Sequence, residues 1–572
     1  MIESLPKHKR GNVYKLFDRL PGAIFLAVLF FLLFGGAFLP EITAYIIIIL
    51  NVYFLYKSGS LAILFGISFV RIRNGEATNW MEKLNSLDPE GLADRRSKFI
   101  ENIEKIESMN YSHRVGGKLE GANNFISKVV ERMPKPYHKL IFSIEKYKAL
   151  KFQRKQLANL KEVKTYYDWK DLQHIIIIPH VREPEHILRA TLELLSKQTF
   201  PKEQINIVLA AEGRDPEGIE MSKRLAHDYN GIFNNIWVSI HHLTDEEIVG
   251  KSSNMKAGGM KAYEEITKMG WDLETTLVTS CDADSKLPEQ YFAYVSYEYV
   301  KRKDAKYKFF NAAMVFYNNI WRLPFYARIK NSMSTLFATS RLPRTDKLIP
   351  FSTYTNSFWI IKEVGFWTPW VTPEDFHLFL KSQFHFGGIV SVIPIYLRIM
   401  SDAAEGKSHI DTIKNNYQQE RRWAWGISDD GWVLQNIFLR PFRNDFVTIY
   451  RGLHSVFDHI MGPILGILLI VGGNIPPLIN PRFSSTILGS QLPIVSSTII
   501  TASLLFMITI ILLDLAFKPR RNTPFYLAIP LQLVEWIFLP VASFALVIIP
   551  GVESNTRLFF GKYLDYYVTK KH

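Results

Sequence analysis

Two carboxylates one residue apart stand in Ser280-Cys281-Asp282-Ala283-Asp284-Ser285, directly after an apolar stretch that ends at Ser280. In an extended loop this spacing turns Asp282 and Asp284 to one side, where hard oxygen ligands can face a divalent ion that also grips a diphosphate. Solvated loops produce the same pair, so its place at a strand end is what favours the chemical reading. Lys251, in Gly250-Lys251-Ser252-Ser253-Asn254-Met255-Lys256, precedes a helical pattern, where a cation can offset phosphate charge; a surface lysine is the plain alternative. Thr372-Pro373-Glu374-Asp375 sets two more carboxylates at a helix start, and simple capping explains them as well. In Gln419-Glu420-Arg421-Arg422-Trp423, helical spacing puts Gln419, Arg422 and Trp423 on one face. Arginine can clamp a diphosphate and an aromatic ring can stack on a sugar, although an interfacial helix also uses Trp and Arg.

These residues need a scaffold, and the pattern from residue 171 onward supplies one, because strands alternate with helices as in a mostly parallel sheet. His174-Ile175-Ile176-Ile177-Ile178-Pro179 reads as a fully buried strand, 185–197 as the next helix, and 205–210 and 276–280 as two further buried strands. Sites in such sheets form at the carboxyl ends of strands. Ahead of them, 74–171 is rich in charge and helix formers. Apolar residues recur at helical spacing in Phe99, Ile100, Ile103 and Ile106 and in Leu140, Ile141, Ile144 and Tyr147, which predicts a helical insertion.

Both ends of the chain are apolar. Runs over 22–39 and 42–70 predict a membrane hairpin, with Lys7, Lys9, Arg10, Lys15 and Arg19 before it and Arg71 and Arg73 after it, so both flanks are expected in the cytosol. Runs near 457–471, 493–515 and 526–549 follow, with Lys518, Arg520 and Arg521 between the last two. Pro530 and Pro540 can break the final run, which leaves five or six spans and the side of the Lys570-Lys571 tail open. The expected order is a basic N-terminus (1–20), a hairpin (21–70), the insertion (71–170), the sheet domain with interfacial segments at 321–344 and 432–446 (171–446), membrane helices (447–550) and a basic tail (551–572).

The 572 residues carry a net charge of +14, which in a membrane protein is expected on cytosolic loops facing anionic lipid. No nucleic-acid-binding signature accompanies it. The single cysteine, Cys281, excludes an intrachain disulfide and a cysteine-rich metal site.

Taken in order, these segments resemble the family 2 glycosyltransferases with a GT-A fold, especially the membrane-bound cellulose, hyaluronan and chitin synthases. Pro179-His180-Val181-Arg182-Glu183 is similar to the family's proline-to-acid turn, and Ala211-Glu212-Gly213 to its second-strand end, with Ala211 where an aspartate is usual. Pro373 stands where cellulose synthases usually have threonine. The resemblance implies a Rossmann-like α/β GT-A catalytic domain flanked by transmembrane helices, in a multi-pass protein of the plasma membrane with that domain in the cytosol. It implies inverting transfer from a UDP- or GDP-sugar to a polysaccharide or lipid acceptor, with Asp375 as general base. Pro179, Glu183, Glu212, Lys251, Asp282, Asp284 and Arg422 would hold the donor, and Glu374, Gln419 and Trp423 the acceptor. Asp284, with Asp282, would bind Mg2+ or Mn2+, and membrane lipids are the remaining partners. Polymerisation with export through the membrane helices is favoured over glycosylation of a lipid. A non-catalytic transporter or scaffold, using the intramembrane Asp458, Asp514 and Glu535, is the reading from a different class.

Overall fold

The structure is a computed structural model, and it describes residues 1–108, 146–155, 157, 164–440, 442–520 and 524–564. It divides into two compact units: one of 1–78, 172–295 and 304–572, the other of 79–171 and 296–303.

The larger unit is built on a seven-stranded sheet. Its strands are β1 (Gln173–His180), β2 (Ile205–Glu212), β3 (Asn235–His241), β4 (Thr276–Ser280), β5 (Lys308–Val315), β6 (Tyr354–Ser357) and β7 (Ser391–Met400), in the order β3-β2-β1-β4-β6-β5-β7. β1 to β4 are mutually parallel, and β6 enters antiparallel between β4 and β5, so the expected α/β sheet is present in mixed form. The four isoleucines of β1 are buried on both faces. Each such side chain stabilises by about 1.5–3 kcal/mol at most, which is why an unalternating apolar run settles at the centre of a sheet.

The antiparallel strand decides where the chemistry sits. Ser280, the last residue of β4, pairs with Tyr354, the first of β6. The chain entering β6 therefore lies beside the chain leaving β4. A bridge between Lys286 and Met400 likewise brings the end of β7 beside the loop after β4. Helix Lys251–Met269 packs over β1 and β2 at Gly258, where a Cβ would meet Ile177 Cγ2 at 2.7 Å. Only glycine permits that approach.

Among the described residues, five helices are long and apolar enough to cross a membrane: Asn12–Phe38, Pro40–Glu76, Phe446–Val471, Ile487–Phe517 and Leu539–Phe559. Helices Asn12–Phe38 and Pro40–Glu76 run beyond the apolar stretches into turns that carry charged residues. Helix Pro40–Glu76 reaches the sheet, where Arg398 of β7 clasps Glu76 at 2.5 and 3.0 Å. The run expected at 526–549 is two helices, Phe525–Trp536 and one beginning at Leu539 with Pro540 in its first turn. The first piece rises about 18 Å, too short to span alone. Arg521 and the Lys570-Lys571 tail lie outside the described residues.

The smaller unit contains helices Trp80–Asn85 and Pro89–Ser108, the second holding Phe99, Ile100, Ile103 and Ile106. Within it, Trp80 packs on Tyr297 at 5.5 Å and Tyr167 on Tyr299 at 5.1 Å. Leu140, Ile141 and Ile144 lie outside the described residues.

Candidate active site

The residues singled out by type and spacing fall into three groups around the carboxyl ends of the strands. At the centre, Lys251 Nζ lies 2.7 Å from Asp282 Oδ1 and 2.8 Å from Glu374 Oε1. Ser352 joins this pair to Asp375. Its N–H donates to Asp375 Oδ2 at 2.6 Å, its hydroxyl donates to Asp282 Oδ2, and its carbonyl accepts from Lys251 at 2.9 Å. Ser352 has φ 61°, left-handed backbone that costs a non-glycine residue about 1–3 kcal/mol and persists where surrounding bonds over-determine it. Nothing in its local sequence marks it, because the position follows from the antiparallel entry of β6.

The electrostatics of this centre are strongly coupled. Burial disfavours the Lys251 ammonium, but Asp282, Glu374 and Asp375 more than offset that and hold it well above the ordinary lysine range. Burial pushes the Glu374 carboxyl up to about 7 from 4.5, with Lys251 opposing the rise and Asp375 adding to it. A carboxyl raised in the folded state binds its proton more tightly there than in the unfolded chain. Its contribution to stability is thus present at low pH and lost as pH rises through about 7. Thermal unfolding between about pH 5 and about pH 8 should show this loss, and Glu374→Gln should flatten it. An unchanged slope in that variant would assign the dependence to another group.

Asp284 is almost fully buried, and its Oδ2 accepts the Asp402 N–H at 3.2 Å. The chain after Asp402 leads to the third group. Asn319 bonds both the carbonyl and the N–H of Ala403, and Asn416 donates to the Ala404 carbonyl at 2.9 Å. Asn416 belongs to helix His409–Ala424, which carries Gln419, Arg422 and Trp423. Beneath that helix lies Lys330 of helix Phe325–Arg341, a residue with no sequence signature. Its side chain is fully buried, 2.8 Å from Gln419 Oε1, 2.9 Å from Glu420 Oε1 and 4.3 Å from the centroid of the Trp423 ring. Arg421 pairs with Glu553 of the last membrane helix at 3.0 Å.

The remaining group lies at the ends of β1 and β2, which are neighbours with His180 opposite Ala211. Pro179 is in the strand itself. Glu183 accepts the Val181 N–H, which closes the turn, while Glu212 is buried and bonded by Arg214. Arg182, with φ 57°, donates its N–H to Asp215 at 2.6 Å.

The ionisable residues named for the transporter reading each have a partner. Asp458 pairs with Lys57, Asp514 with Lys518 and Tyr317, and Glu535 with Arg328. Among the described residues, no group of three or more His, Cys, Asp and Glu side chains is arranged to hold a metal ion by itself.

Residues 277–539 match the sequence profile described as glycosyl transferase family group 2. No curated protein matches the chain in sequence. Among solved structures, a mannosyltransferase, PcManGT from Pyrobaculum calidifontis in complex with GDP-Man and Mn2+, is 13% identical, covers 63% of this chain and 91% of its own, and superposes with a TM-score of 0.37. S. aureus TarS 1-349 in complex with UDP-GlcNAc is 14% identical, with 59% of this chain and 92% of its own covered and a TM-score of 0.29.

Proposed function

We propose that the protein is a membrane-embedded glycosyltransferase that moves a sugar from a UDP- or GDP-sugar to an acceptor hydroxyl with inversion. The observation that carries this reading is the convergence of Lys251, Asp282 and Asp375 on Ser352 at the carboxyl end of β4, with Glu374 joined through Lys251. The family match over 277–539 supports it and includes Asp282, Asp284, Asp375 and Arg422.

In this mechanism Pro179, Glu183 and Glu212 bound the nucleoside end of the donor, at the ends of two adjacent strands. Lys251 and Arg422 bring positive charge to the diphosphate. Asp375 takes the proton from the acceptor hydroxyl as that oxygen attacks the anomeric carbon. Ser352 aims Asp375 through its backbone N–H and ties it to the donor side of the site. Glu374 and Gln419 contact the acceptor, and Trp423 offers a ring on which a sugar stacks. Attack and departure belong to one displacement, so no covalent sugar forms on the protein.

Mg2+ or Mn2+ fits the donor set after β4. An ion that grips a diphosphate needs only one or two protein carboxylates, and both residues offer hard oxygens. Asp284 would be the principal ligand, as the family resemblance implies, with Asp282, held by Lys251 and Ser352, as the second. When bound, the ion supplies positive charge that stabilises the leaving diphosphate.

The basic flanks of the membrane helices support a cytosolic catalytic domain at the plasma membrane. Helix His409–Ala424 is tied to the last membrane helix through Arg421 and Glu553, which supports delivery of a growing chain to the membrane helices. Incubation of the protein in lipid nanodiscs with labelled nucleotide sugars and Mn2+ or Mg2+ tests this. A ladder of long saccharides, abolished by chelation, is the expected product; a single sugar on a lipid would replace polymerisation with lipid glycosylation.

A further inference from the structure

Cations gather without matching carboxylates where helix Pro40–Glu76, helix Phe446–Val471 and the chain leaving helix Phe325–Arg341 come together. Lys57 ion-pairs with Asp458 at 3.2 Å, and His454 Nε2 lies 3.5 Å from the other Asp458 oxygen. Arg341 acts on Asp458 along with Lys57 and His454. Arg344 and Lys57 both act on Lys347, while Arg344 itself forks onto Asp346 at 2.9 and 2.7 Å. Lys57, Arg341, Arg344 and Lys347 thus share two carboxylates, Asp346 and Asp458. Burial, followed by the repulsion of Arg344 and Lys57, holds the Lys347 ammonium below its ordinary range. An anion among these groups would relieve that repulsion.

The cluster is fixed by the backbone. The buried Arg451 of helix Phe446–Val471 donates to the carbonyls of Asp346 at 2.8 Å, Thr345 at 3.2 Å and Val390 at 2.7 Å, which fastens the Arg344–Lys347 turn against the membrane helix. Its depth follows from helix length. Lys57 lies about 25 Å of rise beyond Pro40, close to the roughly 30 Å thickness of the hydrocarbon layer. The far end of the same helix, at Glu76, is bound to β7. Lys57 therefore reaches headgroup level in the leaflet on the side of the sheet, as a lysine in an apolar helix does. From there toward the membrane interior, Tyr53 lies one turn deeper than Lys57 on the same helix and meets Phe457 edge-on at 6.0 Å, with Phe457 42% exposed.

We infer that Lys57, Arg341 and Lys347 form a binding site for the phosphate headgroup of an anionic membrane lipid, whose apolar part lies along Tyr53 and Phe457. The charge excess, the headgroup depth and the rings on the membrane side of it are complementary to a lipid of net negative charge.

Native mass spectrometry of the full chain, titrated in detergent with phosphatidylglycerol or phosphatidylcholine, tests this independently of catalysis. The wild type should retain one phosphatidylglycerol in preference to phosphatidylcholine. Arg341→Gln with Lys347→Gln should weaken that retention by about tenfold or more, since each basic group near an anionic lipid contributes about fivefold. Arg341→Gln alone, at an exposed position, should give the smaller loss and serves if the double variant does not fold. Arg189→Gln with Lys223→Gln, an equal charge change elsewhere on the surface, should change nothing. Equal retention by wild type and cluster variants would overturn the site, and full displacement by inorganic phosphate would make it a free-anion site instead of a lipid site.

Discussion

Asp375→Asn is expected to lower sugar transfer by about 100- to 10,000-fold, the range over which a positioned general base accelerates proton transfer. The substitution keeps the size and the start of helix Glu374–Phe386 while removing the basic oxygen. In the wild type each Asp375 oxygen accepts one backbone N–H, from Ser352 at 2.6 Å and Phe376 at 2.8 Å. The asparagine oxygen can accept only one of these bonds, so a modest loss of positioning accompanies the loss of the base. Lys251 keeps both its ion pairs, so the fall should appear in kcat far more than in donor KM. His377, two residues along, cannot substitute: it is 1% exposed and bonded to Asp429 at 2.8 Å. Retention of more than roughly a third of the wild-type rate would move the base to another residue, Glu374 first.

Lys330→Met is expected to destabilise the chain by about 3–5 kcal/mol, because it leaves Glu420 buried with its cation gone. The Glu420 carboxylate is 11% exposed and the Lys330 side chain 0%, so solvent does little to replace the lost partner. Gln419 loses its 2.8 Å bond in the same step, and the ring of Trp423 loses the ammonium on its face. Burial lowers the Lys330 ammonium from its ordinary range despite Glu420, so the wild-type pair is itself under electrostatic cost. Lys330→Met combined with Glu420→Gln should therefore recover much of the loss, which denaturant unfolding of the four species would reveal as a coupling energy. If the single and double variants are equally destabilised, Lys330 acts through packing alone.

Much of the scaffold was legible because long apolar runs have few alternatives. β1, β2 and β4 lie where continuous burial predicts strands, and the helix expected at 185–197 forms as Glu185–Ser196. β6 was not legible. Its four residues, Tyr354-Thr355-Asn356-Ser357, are mostly polar and carry no apolar run, and they are strand only because β4 and β5 supply partners on both sides. Ser352 was hidden with it, since its three contacts depend on that pairing and not on its neighbours in the chain. Lys330 was hidden for a different reason. A lysine inside an amphipathic helix ordinarily reads as solvent-facing, and only the carboxylate of Glu420 from another helix makes its burial tolerable. The carboxylates after β4 and at the start of helix Glu374–Phe386 were found from type and spacing. Their joining through one serine belongs to tertiary structure.

Consumption of a nucleotide sugar at the site around Ser352 is open to direct measurement. Release of nucleoside diphosphate from a panel of UDP- and GDP-sugars, by the purified protein in nanodiscs with Mn2+, measures it most directly. Steady release from one donor, lost when Asp284 is changed to alanine, is the expected result; no release from any donor, or release unaffected by Asp284→Ala, would overturn the proposed function.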